Sequence, residues 1–372
     1  MYPALAIAAA LHADCAARGE EYAATFYGTK RGLESTIVAK AGIPLRFVSS
    51  RPLRRKLSLE LALTAGSNAL GFAEASAELT RFAPDVVIAT GGYVCFPVVA
   101  AARALRTARR LDAPLALLEE NALPGLTNKL LAPFVDEIWG PTWTSPAALG
   151  RKFVTTGIPV RGEFKQSLVR PRARERLGID PHATVIVVMG GSQGARSINE
   201  AASALVTRRT LPASWWILHL SGERDYEYMK AELREKQPGN RVTLLPYLDD
   251  PAPAYVAADL VVARAGASTL AELAATGRAS LLIPYPYASD DHQNANARFF
   301  ADVGASRILF DAELTGDVLW WALSEALAGD NVASMASAAA RLAPTDAAAM
   351  IVRRVNALRE GRRTRRDENA RP

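Results

Sequence analysis

At 372 residues the chain exceeds the size of one compact core and fits two domains, and its 49% apolar content excludes global disorder. No apolar run approaches the roughly 18 residues that a membrane-spanning helix needs. The net charge is +6, but eight arginines between Arg353 and Pro372 face three acids, Glu360, Asp367 and Glu368, so this stretch carries +5 of it. The remainder is near neutral, which excludes a basic nucleic-acid face on the folded part, and no aromatic–basic interleaving suggests base stacking.

Tyr2 to Ala17 reads as an alanine-rich helix, with Leu5, Ala8, Ala9 and His12 at helical spacing and Gly19 just past its end. EYAATFYG then reads as a strand. Chains that alternate strand and helix open on a strand, and the turn after it often carries the ligand loop. The reading therefore expects an earlier strand and loop, and without them a gap in the first sheet or a neighbouring strand closed into it. No basic region precedes an apolar stretch, so no signal peptide is expected. Two cysteines, Cys15 and Cys95, cannot make a disulfide framework and point to a reducing cytoplasm.

Between residues 51 and 61, Arg51, Arg54, Arg55 and Lys56 interleave with Leu53, Leu57, Leu59 and Leu61. An apolar surface ringed by basic groups suits an anionic bilayer. An ordinary loop leading into a core helix fits the same residues.

Eight short runs rich in Val, Ile and Leu follow: 84–90, 113–120, 137–141, 183–191, 215–222, 242–248, 259–266 and 279–286. Several are continuously apolar, as parallel strands covered on both faces are, and helices fit between them. The series breaks at TTGIPVRGEF and a charged stretch. This predicts two doubly wound α/β domains facing a cleft, with residues 1–160 in the first and 161–344 in the second. Residues 345–360 form an amphipathic helix, and 361–372 read as a disordered basic tail.

Four strand ends carry glycine turns or polar groups. In VIVVMGGSQGARSINEA, a strand ends in Gly190-Gly191-Ser192-Gln193-Gly194 and a helix opens, which suits a diphosphate or simply a tight turn. The spacing is neither a Walker loop nor a dinucleotide fingerprint. In VVARAGASTLAELAATG, a second such turn leads into a helix bearing Glu272. Its carboxylate suits a ribose diol, while Thr269 to Glu272 also fits a capping box. In the first domain, Gly91 and Gly92 form a third turn, suited to a phosphate-bearing acceptor. Glu119, Glu120 and Asn121 end a fourth strand. Glu119 there is a candidate acid or base, or a solvated helix-start carboxylate.

Asp290, Asp291 and His292 lack a second His or Cys cluster, so no metal site is expected and helix capping is the reading preferred. Gln293 and Asn294 would supply neutral hydrogen bonds to a sugar. His12, His182, His219 and His292 are scattered and suggest no nucleophile triad.

Taken together, YPALAIAAAL, GTKRGLES, TGGYVCFPV, ENALPGLTNKLLA, TGIPVRGEF, MGGSQGARSINEA, PYLDDPAPAYVAADLVVARAGASTLAELAATG and IPYPYASDDHQNANA resemble, in order, the MurG family of bacterial glycosyltransferases. The resemblance covers nearly all of residues 1–357. It implies a GT-B fold, with an acceptor- and membrane-docking first domain, a UDP-sugar-binding second domain, and the helix at 345–360 packed back on the first. The implied activity is inverting transfer of N-acetylglucosamine (GlcNAc) from UDP-GlcNAc to the muramoyl 4-hydroxyl of undecaprenyl-diphosphate-linked lipid I. The product is lipid II, for peptidoglycan and cell-wall synthesis. The place is the cytoplasmic membrane face, and no cofactor is implied. A related transferase with another lipid acceptor, or a non-catalytic nucleotide-sugar scaffold, are the alternatives.

By motif, the resemblance assigns Arg161 and Ser192, with Gln193 beside it, to the diphosphate. It assigns the Leu248 backbone to uracil, and Ala267, Ser268, Thr269 and Leu270 to the nucleotide. Glu272 takes the ribose, Gln293 the sugar, and Asn121 the sugar from the first domain. Gly91, Gly92 and Tyr93 form the acceptor loop, and Leu53, Arg54, Arg55, Lys56 and Leu57 the membrane patch. The chain departs from the family where Leu118-Glu119-Glu120-Asn121 replaces His-Glu-Gln-Asn, where Cys95-Phe96 replaces Ser-Gly, and where TGIPVR replaces TGNPVR. The family's GGTGGH loop, whose His is its general base, does not occur among these residues; Glu119 is the expected substitute.

Overall fold

The computed structural model describes all residues except 31–33, 53–58, 166–167, 192–193, 237–240, 344–345 and 370–372. It separates into two compact units, Met1–Arg161 with Thr345–Pro372, and Gly162–Pro344.

Unit 1 begins with α1 (Tyr2–Ala17), β1 (Phe26–Gly28), α2 (Glu34–Lys40), β2 (Leu45–Phe47) and α3 (Leu59–Phe82). It continues with β3 (Val87–Ala89), α4 (Cys95–Thr107), β4 (Leu115–Leu118), α5 (Leu126–Leu131), β5 (Glu137–Gly140) and β6 (Phe153–Thr155). Strands β3, β4, β5 and β6 form a parallel sheet in that order, while β1 and β2 form a separate parallel pair. Among the described residues β1 and β2 thus do not pair with the β3–β6 sheet.

Strand β4 shows why its sequence is apolar throughout. Leu115 and Leu117 enter a core with Val98, Val99, Ala102 and Leu105 of α4. Ala116 and Leu118 face the other way, into a cluster with Ile7 of α1. Each fully buried Leu contributes about 2 kcal/mol of apolar burial to this two-faced core.

Unit 2 contains α6 (Arg170–Arg176), β7 (Thr184–Met189), α7 (Arg196–Arg208), β8 (Trp215–Leu220), α8 (Glu223–Lys236), β9 (Val242–Leu245) and α9 (Ala252–Ala257). Then come β10 (Leu260–Ala263), α10 (Ala267–Thr276), β11 (Ala279–Leu282), α11 (His292–Asp302), β12 (Ser306–Ile308), α12 (Gly316–Ala326) and α13 (Asn331–Leu342). The six strands are parallel in the order β12-β11-β10-β7-β8-β9. The order reverses between β7 and β10, and ligands of doubly wound sheets bind in the crevice outside the strand ends at such a point.

The last helix, α14 (Ala347–Asn369), belongs with unit 1. Its Ile351 and Val355 join Ile7, Leu118 and Trp139 in the second cluster of that unit. Arg354 bonds Glu137 with Nε at 2.9 Å, and Asn356 donates to Asp14 at 3.0 Å. The disordered tail expected from residue 361 is overturned, because the helix runs through Gly361 to Asn369. Two ion pairs hold it there: Arg359 to Glu20 at 3.2 Å, and Arg362 to Asp112. Arginine and glutamate are also good helix formers, so charge density did not prevent order.

A polar node buried in unit 2 gives it an acid sensitivity. His219 on β8 meets Asn199 Oδ1 at 2.9 Å, and burial lowers its pKa to about 4. Unfolding restores the ordinary value of 6.5, so the unfolded chain binds a proton that the folded one refuses. Stability is full above pH 6.5 and falls as the pH drops toward 4, by about 2 kcal/mol at pH 5. Urea midpoints at pH 7 and pH 5 should differ accordingly, and the difference should shrink in His219→Gln.

Candidate active site

The glycine turns after β7 and β10 leave adjacent strands side by side, since Met189 and Ala263 are register partners. Neighbouring strands lie about 4.8 Å apart, so α7 and α10 begin at one crevice. The first turn is sterically dictated. A Cβ on Gly190 would sit 2.3 Å from the backbone N of Ala195, and one on Gly194, whose φ is +71°, would sit 2.2 Å from the carbonyl O of Ser221. Only glycine brings the chain this close. Helix α7 then starts after Ala195 with no side-chain cap, leaving its first N–H groups to a ligand or water. Ser192 and Gln193 lie outside the described residues.

Helix α10 also lacks a side-chain cap, and its N-cap is Gly266. The capping-box reading of Thr269 and Glu272 is therefore overturned: Thr269 is already in the first turn, and Glu272 is half-buried in the second. Ala267, Ser268 and Thr269 form that first turn, with Leu270 buried in the core. Exposed amides at two helix N-termini, with the positive dipole ends, make an anion site.

Two side chains lock this crevice, and the sequence points to only one of them. Gln293 Oε1 accepts from the backbone N–H of Ala265 at 3.2 Å and of Tyr285 at 2.9 Å. Those bonds fix the amide, so its NH2 end is the one left to donate. The second is Arg264, which the sequence marks only as part of a turn. Its guanidinium bonds Ser197 Oγ at 2.9 Å, the Ile283 carbonyl at 3.2 Å and the Asp311 carboxylate. It also stacks on Tyr285, 5.4 Å from the ring centroid. One planar fork thus ties the start of α7 to the loop after β11.

Asp291 is the N-cap residue of α11, as the capping reading requires, but its carboxylate takes the Asn294 amide rather than a backbone N–H. Asn294 is accordingly committed within its own turn. Among the described residues no group of three or more His, Cys, Asp and Glu could hold a metal ion. Leu248 lies half-buried in the loop after β9, on the same edge of the sheet as the two glycine turns.

In unit 1, the ends of β3 and β4 carry the remaining candidates. Gly91, Gly92 and Tyr93 form the turn between β3 and α4, where the Tyr93 carbonyl accepts from Ser50 Oγ at 3.1 Å. Cys95 donates its S–H to the Gly91 carbonyl at 2.8 Å, and burial pushes its thiol up to about 11. Arg161 lies over the Tyr2 ring, 4.3 Å from its centroid.

Glu119 is not a solvated helix-start carboxylate. It is 2% exposed and accepts from Asn121 N at 2.9 Å, Asn121 Nδ2 at 3.2 Å, Gly125 N at 3.1 Å and Asn128 Nδ2 at 2.8 Å. A carboxylate this well supplied with donors organises the loop into α5 and has little left with which to take a proton from a substrate. The Asn121 carbonyl in turn accepts from Thr144 Oγ1 at 2.9 Å. Leu53, Arg54, Arg55, Lys56 and Leu57 lie outside the described residues.

Two Rossmann-like units, the second with two uncapped helix N-termini at its switch point, define a GT-B-like glycosyltransferase. Comparison with known proteins gives the family. The profile of the glycosyltransferase family 28 N-terminal domain matches residues 1–139, and that of the C-terminal domain matches 185–351. The chain is 39% identical over 361 residues to the UDP-N-acetylglucosamine--N-acetylmuramyl-(pentapeptide) pyrophosphoryl-undecaprenol N-acetylglucosamine transferase of Desulforamulus reducens, covering 95% of this chain and 94% of that protein. It is 40% identical over 353 residues to the transferase of the same name from Moorella thermoacetica, covering 92% and 91%. The crystal structure of Acinetobacter baumannii MurG superposes with a TM-score of 0.71 at 27% identity, covering 95% of each chain. The chain belongs to this family of N-acetylglucosamine transferases.

Proposed function

We infer that the chain transfers GlcNAc from UDP-GlcNAc to the muramoyl hydroxyl of undecaprenyl-diphosphate-linked lipid I, with inversion, giving lipid II. The observation that carries the reading is the paired glycine turns at the switch point of unit 2, on a chain that covers 94% of the Desulforamulus reducens transferase. In an inverting displacement the acceptor oxygen bonds the anomeric carbon as the bond to the phosphate oxygen breaks. UDP then leaves with the electron pair, and its growing charge is stabilised by helix N-termini and arginine.

In this reading Arg161 and Ser192 hold the diphosphate, the Leu248 backbone meets uracil, and Glu272 accepts from the ribose hydroxyls. The NH2 end of Gln293 donates to the sugar. Docking at the cytoplasmic membrane face rests on the basic–leucine segment at 53–57, which leads into α3. There Leu63 and Leu70, a heptad apart, are 53% and 55% exposed. Among the described residues no helix is long and apolar enough to cross a membrane.

The test is turnover of UDP-GlcNAc with lipid I, beside a diacylglycerol acceptor and an acceptor-free control. Product from lipid I alone supports the reading. Product from diacylglycerol moves the chain to a related transferase, and binding without any product makes it a scaffold. Glu272→Ala should weaken UDP-GlcNAc binding about 10- to 100-fold by calorimetry, the loss of one or two hydrogen bonds to a charged acceptor.

A further inference from the structure

The loop after β11 carries an aromatic pair beside the crevice of unit 2. It starts at the residue that fixes the Gln293 amide: the Tyr285 N–H donates to Gln293 Oε1 at 2.9 Å. Residues 285–288 then make a tight turn, closed by the Ala288 N–H on the Tyr285 carbonyl at 3.2 Å, with Pro286 as its first central residue. Proline fixes φ at that position, so the turn is stiff before any ligand arrives.

The two tyrosines of this turn are unequally engaged. The Arg264 guanidinium lies over the Tyr285 ring, 5.4 Å from its centroid. The Tyr287 ring meets the Tyr285 ring edge-on, with centroids 5.7 Å apart, so Tyr285 braces it. Tyr287 is nevertheless 82% exposed, more than any other large hydrophobic side chain among the described residues. A braced ring on a stiff turn loses little further freedom when a ligand covers it. Two residues of chain span at most about 7 Å, so the Tyr287 ring is within reach of a sugar held by the Gln293 amide.

A pyranose with equatorial substituents, such as GlcNAc, turns its C–H bonds toward its two faces. Those faces are apolar and weakly positive, and they match the negative face of an aromatic ring. Tyrosine also keeps its hydroxyl in water while the ring is covered. We propose that Tyr287 is a sugar platform: its ring stacks on the GlcNAc ring of the donor, while Gln293 donates to the hydroxyls at the sugar's edge. Stacking fixes the plane of the sugar, and with it the direction of the anomeric bond that breaks in the transfer. The proposal rests on the transferase reading, which puts UDP-GlcNAc at this crevice.

The experiment titrates the full chain with UDP-GlcNAc and with UDP by calorimetry, for the wild type, Tyr287→Ala and Tyr287→Phe, beside melting curves. UDP lacks the sugar, so a platform acts in one titration and not in the other. Tyr287→Ala should weaken UDP-GlcNAc binding about 10-fold and leave UDP binding within about twofold. Tyr287→Phe should bind both ligands as the wild type does, and both variants should keep the melting temperature, because the ring is exposed. A Tyr287→Ala chain that keeps its affinity for UDP-GlcNAc overturns the proposal, and a raised KM for lipid I in that chain would give the ring to the acceptor instead. An equal loss for both ligands also overturns it, since the ring would then serve the nucleotide or the turn. So does a Tyr287→Phe chain as weak as Tyr287→Ala, which would assign the contact to the hydroxyl. A wild-type chain that binds neither ligand overturns the transferase reading, and this proposal with it; that result is distinct from the others.

Discussion

Glu119→Ala should lower the melting temperature of unit 1 by about 10 °C and remove transfer activity altogether. The argument begins at the strand end. Glu119 N donates to the Trp139 carbonyl at 2.8 Å, so the residue still belongs to the sheet edge while its side chain turns into the loop. Its carboxylate receives two backbone amides and the side-chain amides of Asn121 and Asn128. Alanine removes every acceptor at once. Asn128 is buried and Gly125 is the N-cap of α5, so neither donor gains water without movement of the helix. Each hydrogen bond to a charged group is worth about 1.5–3 kcal/mol, and donors left unsatisfied cost more. With partial relaxation the loss comes to about 3–5 kcal/mol, a large part of the ~5–15 kcal/mol that holds an ordinary domain. At about 2–4 °C per kcal/mol for a unit of this size, the melting shift follows. Differential scanning calorimetry reads it directly. Glu119→Gln keeps one acceptor but turns an NH2 toward the donors, so it should recover only part of the loss. A variant with unchanged melting but no activity would return Glu119 to a direct chemical role.

What the sequence made legible follows from how each feature is enforced. All eight strand runs read from apolar content are strands, because a strand buried on both faces has no polar position to blur the pattern. Thr184–Met189 and Ala279–Leu282 are cases in point. The three strands not marked out, Leu45–Phe47, Phe153–Thr155 and Ser306–Ile308, have three residues each and are partly exposed. β3 is equally short, but Val87, Ile88 and Ala89 are all apolar, whereas Arg46, Thr155, and Ser306 with Arg307 break the apolar run in these three. Glycine turns were legible for the same reason as the strands: Gly190 and Gly194 are required by a nearby backbone, and no other residue replaces them. Side-chain partnerships were not legible. Arg264 and Asp311 are 47 positions apart, and Arg354 and Glu137 are 217 apart. Nothing local to either member announces the pair. The capping box at Thr269 failed because Gly266 starts the helix three residues earlier, where a glycine serves as N-cap without leaving a side-chain signature.

Gly194→Ala should abolish measurable UDP-GlcNAc binding, while Gly266→Ala, in the second turn, should cost no more than about threefold. Both glycines precede helices assigned to the same diphosphate, so ligand crowding alone would treat them alike. The backbone treats them differently. Gly194 has φ +71°, and a Cβ there would meet the Ser221 carbonyl at 2.2 Å. That carbonyl is not free to retreat. Ser221 O accepts Asn199 Nδ2 at 2.9 Å, and Asn199 is held in turn by His219 at 2.9 Å and Asp225 at 3.0 Å. Relief must therefore come from the turn itself, which carries the start of α7 away from its place at the end of β7. Left-handed strain adds about 1 kcal/mol to an overpacking cost of about 1–3 kcal/mol, and a displaced turn presents its amides in the wrong place. At Gly266 the φ of −69° is ordinary for alanine, and the nearest atom to an added Cβ is Thr269 Oγ1 at 3.9 Å. The measurement is a pair of calorimetric titrations with UDP-GlcNAc, run beside melting curves. Equal losses at the two positions would mean that the ligand, and not the Ser221 carbonyl, sets the demand for glycine at this crevice. Loss at Gly194 alone would place the demand in the packing of β8 against the turn.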